Sequence, residues 1–274
     1  MITRVTLPDL RLVAADMDGT LLDEQGRVPD RLWPLLKVMR DRGISFVPAS
    51  GRQYATLRHT FANVADDMSF IAENGTYVVH DGVEVSSSTM EPSFVRTVLD
   101  DVRRLAAEGV DLGIVLCGKE RAYVERDDRS FLDEVARYYL AHETAADLAD
   151  RTEGVIKIAV FEFGDIERDV EPAMARHRET HQVVVSGGHW LDIMADGVNK
   201  GTALRALQKA LDVSPAQTAA FGDYLNDVEM LQAAELSYAM ENAHPAVKAV
   251  ARHAAPSHVD EGVITVLERL LGVG

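Results

Sequence analysis

Short apolar runs that stop at turn residues dominate the first part of the chain. Residues Leu10 to Ala15 are apolar except for Arg11 and are followed at once by the segment DMDGT at 16–20, which predicts a buried strand that ends in a turn. A helical stretch runs from about Pro29 to Arg42, with the proline in its first turn and Gly43 after its end. The elements predicted next are a strand at 44–48, a helix up to about 63, and strands at 70–72 and 77–80. This order is typical of a doubly wound α/β domain.

The middle of the chain has a different pattern, in which helical stripes alternate with short strands. The runs 112–117 and 121–125 lie on either side of Gly118-Lys119-Glu120, as two antiparallel strands of a hairpin would. The other elements predicted here are helices at 93–108, 129–140 and 166–179 and strands at 154–163 and 181–185. This mixture predicts an α+β module inserted into the first domain, with hinges near 83–92 and at Gly187-Gly188.

The parallel pattern returns after the insertion. A helix is predicted from Lys200 to Ala210, and a short strand from Thr218 to Phe221 ends in Gly222-Asp223. A short helix is predicted from Val228 to Ala233. The predicted fold is therefore α/β, with a Rossmann-like doubly wound parallel sheet core and an inserted α+β cap domain.

The chain of 274 residues, 47% of them apolar, is long enough for two packed domains. We expect the core to comprise 1–84 and 188–274 and the cap to comprise 85–187.

Composition and charge limit the classes of function. The formal net charge is −16, and such a surface repels phosphate backbones, so we expect neither a nucleic-acid partner nor an anionic membrane. Cys117 is the only cysteine, which excludes an intramolecular disulfide. The first residues lack a secretion signal and no apolar run approaches about eighteen residues, so the expected protein is soluble and cytoplasmic. The sequence leaves the oligomeric state open.

Two carboxylates stand at the end of the first strand. Asp16 and Asp18 are two positions apart, and as the strand turns both can face a cleft at the carboxyl edge of the sheet. Bound Mg²⁺ would relieve their repulsion and neutralise an incoming phosphate, so that a carboxylate could attack phosphorus. Taken alone, the pair is equally consistent with a calcium-binding or capping turn.

Several motifs in order resemble those of the haloacid dehalogenase superfamily, in particular its Cof-type phosphatases. The segment DMDGTLLD at 16–23 is similar to the first motif and PASGR at 48–52 to the second. The segment GVNKGTAL at 197–204 is similar to the lysine motif and FGDYLND at 221–227 to the acidic motif, and ENG at 73–75 also matches the subgroup. One departure is Glu241, which stands where subgroup members commonly have glycine. The matches cover both ends of the chain.

The resemblance implies a role for each motif residue. Asp16 would be the nucleophile and a Mg²⁺ ligand, and Asp18 the general acid and base and a second ligand, the latter through its backbone carbonyl. Asp223 would complete the metal shell. Asp227 would either bind the metal through water or fix Lys200, and we favour the second role. The groups implied to surround the phosphoryl oxygens are the Met17 and Gly51 amides, Ser50, Lys200 and Asn226.

Three residues outside these roles are candidates for substrate contact. Arg52 is the last residue of the PASGR match, and it could either touch the substrate or have a structural role. Asn74 belongs to the ENG match. His189 lies where the chain returns from the cap towards the cleft, although packing is the stronger explanation for it.

The resemblance implies a hydrolase of small phosphorylated metabolites that works through an aspartyl phosphate. Its substrates would be phosphate monoesters, either sugar phosphates or phosphorylated cofactors. A phosphomutase would use the same nucleophile, and a non-catalytic protein that binds phosphorylated metabolites could use the same fold. The sequence does not choose a physiological substrate or a pathway.

Overall fold

Two β-sheets organise the chain, and a computed structural model describes residues 8–273 of it. The strands are β1 Leu12–Asp16, β2 Ser45–Ala49, β3 Ser69–Ala72, β4 Tyr77–His80, β5 Val83–Ser87, β6 Leu112–Cys117, β7 Ala122–Val124, β8 His142–Thr144, β9 Lys157–Glu162, β10 His181–Gly187, β11 Trp190–Ala195, β12 Thr218–Gly222, β13 Leu236–Met240 and β14 His253–Ala255. The α-helices are α1 Leu32–Asp41, α2 Tyr54–Thr60, α3 Pro92–Ala107, α4 Arg129–Tyr138, α5 Ile166–Asp169, α6 Glu171–Met174, α7 Lys200–Leu211, α8 Val228–Gln232, α9 Pro245–Val250 and α10 Gly262–Leu271.

The core contains an eight-stranded sheet in the order β14-β13-β12-β1-β2-β3-β4-β5. The strands from β14 to β3 are parallel, and β4 and β5 continue the sheet as antiparallel strands. β1 pairs with β12 on one side and β2 on the other, and every residue of β1 is buried. A strand with neighbours on both sides and helices on both faces must be apolar throughout, which is why its one charged residue, Asp16, stands at its end.

The second sheet has six strands in the order β10-β11-β9-β6-β7-β8. Its two faces bury different side chains because residues alternate along each strand. In β6, Ile114 and Leu116 pack under α3, whereas Val115 and Cys117 pack with Phe131 of α4 and with Trp190. The predicted α+β character of the insert and the predicted pairing of β6 with β7 are confirmed.

The sheet pairing disagrees with the expected start and end of the cap. β11 pairs with β9 and β10 of the second sheet, so this sheet continues to Ala195, beyond the expected boundary at 187. Gly187 and Gly188 lie at the β10–β11 hairpin and not at a hinge. β5 belongs to the core sheet and ends at Ser87, beyond 84. We propose that the cap comprises 88–195.

The prediction of one continuous helix at 166–179 is wrong. This segment is divided into α5, α6 and a 3-10 turn at Ala175–Glu179. Pro172 lies in the first turn of α6, where its missing N–H costs nothing, but a continuous helix would place it in the interior. Among the helices of residues 8–273, none combines the length and apolar character needed to cross a bilayer.

Candidate active site

The turn after β1 presents two aspartates to the cleft in different ways. Asp16 is the last residue of β1 and is 7% exposed, whereas the side chain of Asp18 is 50% exposed. Gly19 has φ of +78°, and a Cβ at this position would lie 2.4 Å from Asp223 Oδ2. Glycine is therefore required here both by the backbone conformation and by the close approach of Asp223.

Lys200 joins the carboxylates of the first and last motifs. It is the first residue of α7, whose N-terminus is capped by Asn199 and Thr202, and its side chain is fully buried. Its Nζ donates to Asp16 Oδ1 at 2.5 Å and to Asp227 Oδ1 at 2.7 Å. Burial lowers the pKa of Lys200, but Asp16 and Asp227 outweigh this effect and the net shift is upward. The ammonium is a fixed positive charge beside Asp16.

Asp227 holds the loop that carries Asp223. Its Oδ2 accepts hydrogen bonds from the backbone amides of Asp223, at 2.9 Å, and Tyr224, at 3.2 Å. Its other oxygen accepts from Lys200, so both carboxylate oxygens are already bonded to protein groups. This geometry favours the role of fixing Lys200 over that of a metal ligand.

The carboxylates at this edge of the sheet fit a hard cation. Oxygens of Asp16, Asp223 and Asp227 lie within 4.8 Å of one another, and such oxygens are what Mg²⁺ prefers. Burial, with Asp227 adding to it, raises the pKa of Asp16 well above its ordinary value although Lys200 opposes the shift. Burial and Asp227 likewise raise the pKa of Asp223 to about 6. A cation would offset this crowding of buried negative charge.

The side chain of Asp18 does not join this cluster. Its carboxylate accepts hydrogen bonds from Arg52, from Nε at 2.9 Å and from Nη2 at 2.5 Å. The Arg52 guanidinium also lies 5.5 Å from the centroid of the Tyr138 ring in the cap. The backbone carbonyl thus remains the only part of Asp18 for which we keep the proposed metal contact.

The loop at 50–52, called the phosphate loop here because the resemblance implies that it binds phosphate, lines the cleft. Ser50 is 2% exposed, and its Oγ accepts from the Arg52 amide at 3.1 Å, which leaves the hydroxyl hydrogen to donate. Within residues 8–273 the Gly51 amide meets no hydrogen-bond acceptor. Asn226 donates to Asn74 Oδ1 at 3.0 Å and lines the same cleft. The Met17 side chain is buried in the core, so only its backbone can face a phosphate.

The cap forms the other wall of the cleft, which encloses about 420 Å³. Four aromatic side chains of the cap line it, namely Tyr138, Tyr139, Phe161 and Trp190. His189 is exposed at the cleft and is held through its Nδ1, which donates to the Glu162 carbonyl at 2.9 Å. Its Nε2 is therefore the ring atom left for a ligand. Glu241 is exposed, and its neighbour Asn242 donates to the Gly19 carbonyl at 2.8 Å.

A buried charged group between cap and core was missed by sequence reasoning. Lys157, Glu73 and Asp192 are each no more than 3% exposed, and Lys157 Nζ lies 2.6 Å from Glu73 Oε2. The available signal was a lysine at the head of the apolar run IAVF, because a charged residue is rarely buried without a partner.

Comparison with known proteins places this geometry in a family. The model of the haloacid dehalogenase-like hydrolases matches residues 13–267. A 5-amino-6-(5-phospho-D-ribitylamino)uracil phosphatase of Escherichia coli is 34% identical over 269 residues, covering 96% of each protein. An HMP-PP phosphatase of Yersinia enterocolitica is 29% identical, covering 87% of this chain and 86% of its own. The solved structure of SMU.1108c from Streptococcus mutans has a TM-score of 0.87 at 26% identity, covering 96% of this chain and 99% of its own.

The chain belongs to the haloacid dehalogenase-like hydrolases, and within them to the Cof-type phosphatases. The predictions of the family, of the α/β fold with a cap and of a phosphoric monoester hydrolase are confirmed. The E. coli relative acts on a phosphorylated ribitylaminouracil and the Y. enterocolitica relative on HMP-PP.

Proposed function

We propose that the protein is a Mg²⁺-dependent phosphatase that transfers a phosphoryl group to Asp16 and then hydrolyses the acyl phosphate. The observation that carries this proposal is the position of Asp16. Its carboxylate lies at the end of β1 with Lys200 on one oxygen and Asp223 nearby. The free Gly51 amide and the Ser50 hydroxyl line the same cleft. A nucleophile, a positive charge and phosphate donors thus converge.

The chain's own groups account for both half-reactions. In the first, an oxygen of Asp16 forms a bond to phosphorus while the bond from phosphorus to the leaving oxygen breaks, and protonated Asp18 gives its proton to that oxygen. In the second, Asp18 accepts a proton from water as the water oxygen attacks phosphorus and releases Asp16. Lys200 and the Gly51 amide stabilise the phosphoryl oxygens in both. Mg²⁺ held by Asp16, Asp223 and the Asp18 carbonyl would supply charge neutralisation.

We propose that the leaving group of the substrate contains a flat, ring-bearing part. Of the aromatic side chains in the cap wall, Tyr138 is partly exposed to the cleft, and the buried Trp190 packs against it edge to face at 5.4 Å between centroids. Such rings suit a heteroaromatic base better than a free sugar. The E. coli relative acts on a phosphorylated ribitylaminouracil. The aromatic lining therefore favours phosphorylated cofactor precursors over simple sugar phosphates as substrates.

Removing the Tyr138 ring should separate ring recognition from phosphate recognition. We expect Tyr138→Ala to lower kcat/KM about ten-fold or more for 5-amino-6-(5-phospho-D-ribitylamino)uracil, because stacking of a base on an aromatic side chain contributes about 1–3 kcal/mol. Ribitol 5-phosphate, which lacks the ring, should change little. Tyr123→Ala is the matched control, since Tyr123 lies on β7 beneath Arg151 and does not line the cleft. An equal loss on both substrates would contradict the proposed ring recognition.

Magnesium should stabilise the folded protein through Asp223. At a free concentration of about one hundred times the Kd, the free energy of unfolding should rise by about 2.7 kcal/mol, a shift of several degrees in Tm for a chain of this size. We expect Asp223→Ala to lose most of the shift together with activity, and the exposed Asp30→Ala to retain both. Thermal melts with chelator and with a magnesium titration measure this. An unchanged shift in Asp223→Ala would place the metal elsewhere.

The rise in Tm that Mg²⁺ causes should also depend on pH. The folded pKa of Asp223, about 6, lies above its ordinary 3.8, so the metal-free folded protein holds this proton more tightly than the unfolded chain. The stability that this group contributes is therefore present below about pH 4 and is lost as pH rises through about 6. Because protons and Mg²⁺ compete for the same carboxylate, the Tm shift should be larger at about pH 7.5 than at about pH 5. Melts at the two pH values check this sign.

A further inference from the structure

Lys157 connects the cap to the phosphate loop of the core. It is the first residue of β9, in the cap sheet, and is 1% exposed. Its Nζ donates to the Gly51 carbonyl at 2.7 Å and lies 2.6 Å from Glu73 Oε2, both in the core. It also lies 3.6 Å from Asp192 Oδ1 on β11 of the cap. One cap ammonium therefore reaches the backbone that would hold the phosphoryl group.

The backbone carbonyl of each residue in the phosphate loop accepts a hydrogen bond. The Ser50 carbonyl accepts from the Asn74 amide at 2.9 Å, and the Arg52 carbonyl accepts from the Glu73 amide at 3.1 Å. The Gly51 carbonyl between them accepts only from Lys157, among the residues that the structure describes. A cap side chain thus completes a set of contacts that the core makes by itself at the two neighbouring positions.

The Lys157 contact acts on Ser50 through one peptide plane. Because the peptide is planar and trans, the Arg52 N–H points opposite to the Gly51 C=O. That N–H donates to Ser50 Oγ at 3.1 Å. The hydroxyl hydrogen of Ser50 must therefore point away from the Arg52 N–H. A donor on the Gly51 carbonyl therefore also sets the direction in which Ser50 can donate.

The turn beside the loop is strained and is held by the same cap residues. Glu73 and Asn74 have φ of +50° and +57°, values that residues other than glycine rarely adopt and keep only when neighbours hold them. Lys157 holds the Glu73 side chain. Asp192 accepts from Asn74 Nδ2 at 2.5 Å. Both holding groups come from the cap.

We propose that Lys157 is a positioning residue which sets the phosphate loop in its binding shape when the cap is seated on the core. The inference rests on the proposed function, in which Ser50 and the Gly51 amide bind the phosphoryl group. When Lys157 withdraws, the Gly51–Arg52 peptide loses its only donor from the cap and the Glu73 turn loses its ion pair. The position of the cap on the core and the conformation of the phosphate loop are thereby coupled.

The test uses a variant that keeps the buried charge unchanged. Lys157→Met alone would leave Glu73 and Asp192 without a counter-charge, so it is combined with Glu73→Gln, which removes one positive and one negative charge together. The matched control is Lys119→Met with Glu84→Gln. Lys119 and Glu84 also form an ion pair between cap and core, at 2.9 Å, but they are partly exposed and do not line the cleft that contains Gly51.

Three readouts separate positioning from stability. Hydrogen exchange at the amides of Ser50, Arg52 and Gln53, each of which donates a hydrogen bond in wild type, should be at least about ten-fold faster in the Lys157→Met/Glu73→Gln variant, because local opening sets exchange. With p-nitrophenyl phosphate, kcat/KM should fall about a hundred-fold, the scale of losing one oriented donor or of a small misplacement. The inhibition constant of inorganic phosphate should rise in parallel. The Lys119→Met/Glu84→Gln control should match wild type in all three.

Wild-type exchange at these three amides and wild-type phosphate inhibition in the Lys157→Met/Glu73→Gln variant would overturn the proposal. If that variant does not fold, Lys157→Gln with Glu73→Gln keeps polar atoms at both positions but shortens residue 157, and the same two losses are expected. Absence of phosphate release by wild type would contradict the proposed function instead, and the exchange readout would still decide the role of Lys157.

Discussion

Asp16→Asn is expected to abolish turnover while the protein stays folded. An amide cannot form the acyl phosphate, and loss of a covalent nucleophile in other hydrolases costs about 10⁶-fold in kcat; we expect at least about 10⁴-fold here. Asparagine keeps the size of the side chain and an oxygen for Lys200, which also retains Asp227. Steady-state phosphate release and a thermal melt of the same preparation measure the two parts of the prediction.

The control for this variant is Asp23→Asn, in the same sequence motif. Asp23 accepts hydrogen bonds from the Gln25 and Arg27 amides in an exposed turn and does not line the cleft. It should retain nearly full activity. Near-normal phosphate release by purified Asp16→Asn would end the covalent mechanism.

Asp18→Asn is expected to slow both proton transfers and to let phosphorylated enzyme accumulate when the leaving group departs without help. General acid–base catalysis contributes about 10²- to 10⁴-fold, and kcat on an alkyl phosphate should fall within that range. An aryl phosphate with a good leaving group should be less affected in the first step, so its phosphoenzyme should build up. Rapid-quench measurement of protein-bound phosphate separates the two steps.

Loss of an ordinary aspartate–arginine pair is the control for Asp18→Asn. Asp66 accepts from Arg58 at 2.7 Å on the surface of the core, and Asp66→Asn should leave both steps unchanged. Equal rates for alkyl and aryl phosphates in Asp18→Asn, with no bound phosphate, would argue against its role as acid and base. Return of the trapped phosphoryl group to an alcohol substrate, in place of water, would instead support the phosphomutase alternative.

The motif residues could be placed together from the sequence because of how parallel strands are arranged. Asp16, Ser50 and Asp223 each follow an apolar run, and the carboxyl ends of neighbouring parallel strands meet at one edge of the sheet. Lys200 was predicted to begin a helix, and its capped helix start carries the ammonium to Asp16. Local pattern and sheet geometry were sufficient for these positions.

Contacts between distant segments could not be predicted in the same way. Whether Asp18 faces a metal or Arg52 depends on a side-chain direction that strand patterns do not specify. Apart from Asp192, β11 is apolar like a core strand, and only its pairing with β9 and β10 assigns it to the cap. Lys157 and Glu73 are far apart in the sequence, and their burial follows from how the cap is seated on the core.

If the phosphoryl group passes through Asp16, the aspartyl phosphate can be captured chemically. Acid-quenched enzyme, taken during turnover of an aryl phosphate, can be reduced with borohydride, which converts an aspartyl phosphate to homoserine, and then mapped by peptide mass spectrometry. We predict homoserine at position 16 in wild type and in larger amount in Asp18→Asn. We predict none in Asp16→Asn. Rapid phosphate release with unmodified Asp16, or modification at another carboxylate, would contradict transfer through Asp16.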